Sequence, residues 1–439
     1  MFQFDRAAYD RRMEWFRHDR FGMFIHWGLY AIPARGEWVR SREQMSEAHY
    51  RRYFDAFNPV DYDPRAWAKA AKAAGMKYAV LTAKHHDGFC LFDSKLTDFK
   101  STNTPCRRDL VREYVEAFRA EGLKVGLYYS LLDWNHPDYP HYADAHHPMR
   151  GNPDWKDCKF DFDKYLDYMH GQVRELCENY GKIDLFWFDF SYDALKGEAW
   201  RATELVRMIR SYWPEAIIDS RLEATHSPDN GLENGAPNEY SGDFAGPEQI
   251  IPPEGVTNRK GEAIAWEACI TMNQHWGYAS ADKAFKPADM LVRKLVECVS
   301  KGGNLLLNVG PDARGRIPRE SLEILAEIGR WMDDNGESIY GCGRCSLPKP
   351  EYGRITQKGD TLYYHVFEPQ IGSIPLIGLK KDQIRSMRLV RDGSERPLST
   401  EWATSQYPDI PFVSVSGESA RLPDETDTVI AVELAGSAR

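Results

Sequence analysis

The 439-residue chain has no stretch long and apolar enough to span a bilayer, which leaves no membrane role to expect. Its first twenty residues, Met1 to Arg20, are densely charged and lack the apolar centre of a secretory signal, so a cytoplasmic location is the expectation. Basic blocks are missing too. With 56 Lys and Arg against 66 Asp and Glu the net charge is −10, a balance that argues against nucleic acid as partner. Cysteine is scarce and scattered, as in reduced proteins. The one close pair among eight, Cys342-Gly343-Arg344-Cys345, lacks the second pair a zinc site needs and reads as structural. No glycine-rich dinucleotide fingerprint follows the first apolar run, which disfavours an open nucleotide-binding sheet.

What the chain does have is a recurring unit: a short apolar run after a helix-like segment, with chemically capable residues at its C-terminal end. Gly22 to Ile25 leads into His26-Trp27-Gly28, Tyr78 to Thr82 into Lys84-His85-His86-Asp87, and Lys124 to Leu127 into Tyr128-Tyr129-Ser130. Ile183 to Phe188 delivers Asp189, Ala216 to Ile218 leads into Asp219-Ser220-Arg221, and Asn304 to Leu307 into Asn308-Val309-Gly310. Between these runs the spacing predicts amphipathic helices, with Leu110, Val111, Tyr114, Val115 and Phe118 on one face, and Leu291, Val292, Leu295, Val296 and Val299 on another. Pro64, Pro287 and Pro318 read as first-turn prolines, Gly75 and Gly122 as helix stops. Alternating strands and helices make a parallel sheet. Roughly eight units over more than 300 residues, with polar residues gathered at strand C-termini, predict a (β/α)8-like, TIM-type barrel over residues 1–343.

Beyond about residue 340 the helical period disappears. Short alternating runs such as Thr361 to Phe367 and Thr428 to Leu434, separated by turns rich in Gly, Pro, Asp and Ser, predict a C-terminal antiparallel β-sandwich over residues 344–439. Such a domain could bind carbohydrate; packing against the barrel is the simpler role.

Asp189 is the most informative residue. A carboxylate between Phe188 and Phe190 loses solvation, and a cationic transition state or nearby donors would compensate for that loss, as in a sugar-cleaving nucleophile; capping the next helix is the alternative. Glycoside cleavage needs a second carboxylate, and Glu239, Glu248 in Gly246-Pro247-Glu248, and Glu267 in Trp266-Glu267-Ala268 are the candidates. Glu248 lies in a Gly/Pro loop able to overhang a pocket, whereas Glu267 falls inside an apparent strand. The 13 tryptophans and 23 tyrosines would supply platforms for the apolar faces of sugars, although most belong to the core. His26, His85, His86, His136, His141, His146 and His147 raise a metal-hydrolase alternative. Adjacent strand residues point to opposite sides, so His85 and His86 are not expected to share a metal, and no metal ligand is expected.

Phe24-Ile25-His26-Trp27-Gly28, Gly36-Glu37-Trp38, Lys84-His85-His86-Asp87-Gly88-Phe89, Tyr128-Tyr129-Ser130, Phe186-Trp187-Phe188-Asp189, Gly246-Pro247-Glu248, Trp276-Gly277-Tyr278 and Gly302 to Pro311 resemble, in order, the motifs of glycoside hydrolase family 29, the α-L-fucosidases. The resemblance implies an exo-acting, retaining α-L-fucosidase without metal or organic cofactor. It implies Asp189 as nucleophile and Glu248 as acid/base, with Glu267 in reserve. His26, Glu37, Trp38, His85, His86, Tyr129, Trp187, Arg221 and Trp276 would bind substrate, Trp276 near the C5 methyl of the sugar. Phe190-Ser191-Tyr192 stands where many members carry glycine and tryptophan. The expected partner is a small fucosylated oligosaccharide or glycoside; the oligomeric state is open between monomer and homo-oligomer. Two alternatives remain: an α-L-galactosidase on the same scaffold and a non-catalytic fucose-binding protein.

Overall fold

The computed structural model describes residues 2–140, 144–192, 194–224, 230–415 and 421–435. Seven parallel strands form one curled sheet: β1 (Phe21–Ile25), β2 (Tyr78–Lys84), β3 (Lys124–Ser130), β4 (Leu185–Asp189), β5 (Ile217–Ile218), β6 (Glu267–Thr271) and β7 (Asn304–Val309), in the order β5-β4-β3-β2-β1-β7-β6. The edge strands β5 and β6 are not left open. Residues 243–249 lie between them, bridging Asp219 to Phe244 on one side and Ala245 to Trp266 and Glu248 to Cys269 on the other, all parallel. This segment is an irregular eighth stave. Gly242, at φ +79° with its α-carbon against the Asp219 carbonyl, allows the chain to turn into it where any side chain would collide. Asp243 then fastens it, its carboxylate accepting from Arg12 at 2.7 Å, Arg210 at 2.8 Å and the Ile218 amide at 2.9 Å.

Two cores follow from strand alternation. Phe21, Met23 and Ile25 of β1 face outward to the helix layer, where they meet residues such as Tyr114, Phe118, Leu291 and Leu295. Phe24, Val80, Tyr128, Leu185, Trp187, Phe244 and Leu306 fill the interior of the strand ring, which Met13 and Phe16 of the helix Arg6–Asp19 close from below. The predicted helices over 110–118 and 291–299 are present as Leu110–Ala120 and Ala288–Ser300. Pro64 occupies the first turn of Pro64–Ala73, while Pro287 and Pro318 stand one residue earlier, at the N-caps of their helices.

The C-terminal part is an antiparallel five-stranded sheet built on Gly343–Arg344, Gly353–Lys358, Thr361–Val366, Ile384–Leu389 and Thr428–Leu434, with a two-stranded sheet of Ile374–Pro375 and Phe412–Val413. Tyr363, Val429 and Ala431 enter the main core, and Trp331 donates its indole N–H to the Asp427 carbonyl. Among the described residues no helix is long and apolar enough to cross a membrane.

Candidate active site

Strand β4 carries Leu185, Trp187 and Asp189 on its inner side, so Asp189 emerges at the C-terminal mouth of the ring above the Trp187 indole. Its Oδ2 accepts from the Tyr128 hydroxyl at 2.8 Å and its Oδ1 from Arg221 at 2.7 Å. The other terminal nitrogen of Arg221 reaches Glu248 Oε2 at 2.9 Å, so a single guanidinium bridges two carboxylates. Arg221 also lies over the Trp187 ring, 4.4 Å from its centroid. Burial pushes the Asp189 carboxyl above its ordinary value; Arg221 opposes this, Glu248 adds to it, and the Tyr128 hydroxyl lowers it. Burial disfavours charge on Arg221 as well, but Asp189 and Glu248 outweigh it and hold the guanidinium firmly protonated.

These groups open into a cavity of about 180 Å³ lined also by Phe24, His26, Glu37, Trp38, His85, His86, Phe190 and Trp276. Its polar atoms are oriented from behind. Nδ1 of His26 meets Asn308 Oδ1 at 2.7 Å, and Asn308 gives its amide N–H to the Trp276 carbonyl, so the imidazole proton sits on Nδ1 and Nε2 is an acceptor. Nδ1 of His86 meets Ser130 Oγ at 2.6 Å while that hydroxyl donates to Leu132, which assigns the same tautomer. Glu37 accepts from the Gly277 amide at 2.9 Å, and the buried Nδ1 of His85 has no hydrogen-bond partner among the described residues. The result is a small chamber with several fixed acceptors, one apolar wall of Phe24 and Trp276, and two carboxylates at its mouth. A polyhydroxylated ring with one apolar corner fits that lining.

A family model described as Alpha-L-fucosidase matches residues 2–337. The chain belongs to the α-L-fucosidase family. It is 58% identical to α-L-fucosidase isoenzyme 1 from Paenibacillus thiaminolyticus, with a TM-score of 0.94 over 98% of this chain and 100% of that one. An α-L-fucosidase of Bacteroides thetaiotaomicron, solved as a trapped covalent intermediate, is 29% identical with a TM-score of 0.82 over 97% of each chain. The α-L-fucosidase of Dictyostelium discoideum is 30% identical over 74% of this chain and 71% of its own length. The protein is thus a glycoside hydrolase, and the covalent intermediate trapped in its relative accords with a retaining, double-displacement mechanism.

In this fucosidase the structure brings together most of the residues that the motifs singled out, and separates three. Tyr129 faces outward: its hydroxyl donates to Gln172 on the helix Phe162–Asn179, and it is Tyr128, one residue earlier, that lines the cavity. The register explains it, because Tyr128 pairs with the inward Trp187. Glu239 lies outside, paired with Arg207 at 2.7 Å. Glu267 faces inward but deep in the ring, against the Tyr78 hydroxyl and the Trp187 indole, where burial raises its carboxyl to about 8. The opposition expected for His85 and His86 does not hold: both line the cavity, with ring centroids 4.1 Å apart, because β2 is irregular between Thr82 and Lys84 and alternation ends there. Phe190 is the addition no motif supplied. At φ +81°, a conformation natural to glycine, it closes the mouth against Trp38 at 5.5 Å and His86 at 5.1 Å. Among the described residues no three His, Cys, Asp or Glu side chains converge as a metal site requires; His141 lies outside the described residues.

Three neutral histidines have a measurable cost. Burial lowers His26 to about 4, against the bond it donates to Asn308, and holds His85 and His86 well below the ordinary range. Between the unfolded value of about 6.5 and the folded one, the unfolded chain binds protons that the folded chain refuses, so stability falls as pH drops through that window. For His26 alone the loss is on the order of 3 kcal/mol. The urea midpoint is expected to decrease clearly from pH 7 to pH 4.5; a flat profile would mean the imidazoles are charged in the fold.

Proposed function

We propose that Asp189 is the nucleophile and Glu248 the acid/base of an exo-acting α-L-fucosidase, and that its substrate is a short, soluble fucosylated oligosaccharide. The observation that carries this reading is the Arg221 bridge, which brings two carboxylates onto one guanidinium in the lining of one pocket, as a nucleophile and an acid serving one bond require. Asp189 attacks the anomeric carbon as Glu248 delivers a proton to the departing oxygen, and a β-fucosyl ester forms. Water then attacks with Glu248 as base, and α-fucose leaves. His26, His86 and Glu37 accept from the sugar hydroxyls, and Phe24 and Trp276 cover the C5 methyl. An α-L-galactoside would bring a further hydroxyl against that apolar wall, where it finds no partner.

The free state of all eight cysteines among the described contacts supports a reducing compartment, the cytoplasm. We place the division between the catalytic part and the C-terminal β part just before the strand Gly343–Arg344, one residue ahead of the boundary expected between 343 and 344, with packing as the role of the latter. The test is proton NMR of 4-nitrophenyl α-L-fucoside hydrolysis in the presence of EDTA. α-Fucose is expected as the first-formed anomer at an undiminished rate; β-fucose first, or arrest by EDTA, would refute the mechanism.

A further inference from the structure

Glu248 and Arg221 each face two cavities. One is the sugar pocket of about 180 Å³; the other, about 330 Å³, lies across the same two side chains and is lined by Asn230, Glu233, Pro247, Ile250, Pro252 and Val256 among others. The chemistry makes this adjacency directional. If Glu248 protonates the bridging oxygen, the fucosyl ring lies in the pocket that holds Asp189 and the leaving group lies outside it, and the second cavity is the other space that Glu248 lines.

The lining of that cavity specifies its occupant. Ile250, 57% exposed, forms an apolar floor with Pro252 and Val256, while Asn230 and Glu233 supply polar atoms. An apolar floor with a polar rim suits a pyranose, which has a C–H face and a girdle of hydroxyls. Its volume, about 330 Å³ against about 180 Å³ for the sugar pocket, leaves room for a pyranose leaving group.

We propose that this second cavity receives the leaving group as a glycan, and that Ile250 is the specificity-determining floor. The proposal rests on the fucosidase reading above and deepens it.

α-L-Fucosyl fluoride separates the two, because fluoride departs without occupying the cavity. Ile250→Asp is expected to lower kcat/KM on a fucosylated lactose by about 10-fold or more while changing that on fucosyl fluoride less than about 2-fold. A second measurement is independent of how much variant is folded. With fucosyl fluoride as donor and lactose as acceptor, the C–F bond breaks, Asp189 holds the fucosyl group, and a lactose hydroxyl takes it while giving its proton to Glu248. The ratio of transfer to hydrolysis is expected to fall in Ile250→Asp. An unchanged ratio, or an equal loss on both substrates with the ratio preserved, would overturn the proposal. Wild type inert on both substrates would overturn the fucosidase reading instead.

Discussion

Asp189→Ala is expected to lower kcat on an aryl α-L-fucoside by on the order of 10,000-fold, with azide restoring turnover and yielding β-fucosyl azide. The size follows from position. Asp189 is the one carboxylate on a regular strand at the mouth of the ring, held by Tyr128 and Arg221 with both oxygens fixed. In the proposed mechanism alanine removes the atom that forms the covalent bond and leaves a vacancy in which a small anion can attack from the same face. The product's configuration is diagnostic: β-azide requires attack from the Asp189 side, and an α-azide or no rescue would assign another nucleophile.

The second large effect concerns Glu248 and should depend on the leaving group. Glu248→Ala is expected to cost about 100- to 10,000-fold on a fucosylated lactose, whose departing alkoxide needs a proton. On 2,4-dinitrophenyl α-L-fucoside, which leaves unaided, the first step should be little affected. Glu267→Gln serves as the comparator. Its carboxyl is already neutral at ordinary pH, since burial holds it at about 8, and it touches Trp187 rather than the cavity. The leaving-group dependence of this variant should therefore match wild type. A steep dependence in Glu267→Gln with none in Glu248→Ala would reverse the assignment.

Much of the scaffold was legible in the chain because a buried parallel strand leaves an apolar run and its end leaves polar residues. Asp189 and Trp187 were readable for a further reason: they share parity on one strand. Parity also explains the errors. Tyr128 and Tyr129 are adjacent aromatics, and nothing in the sequence of β3 says which one faces inward until the pairing with β4 is known. Glu267 and Cys269 share an inward face, yet two residues, about 6.6 Å of strand, separate the depth of the ring from the cavity that Cys269 lines. The stave of residues 243–249 has too few residues and too much Gly and Pro to show any period; only its neighbours reveal it as part of the ring. The shared cavity of His85 and His86 depends on an irregularity in β2 that no local pattern announces.

That stave divides the site into two kinds of support. The proposed nucleophile is carried by a strand with partners on both sides, whereas the proposed acid is carried by a segment whose place is set by the anchor of Asp243 and a few bridges. Chain before and after the anchor can lengthen, shorten or be replaced without disturbing the ladder that shapes the sugar chamber. A lineage built this way can try new surroundings for the departing half of its substrate while inheriting an unchanged grip on the half it keeps.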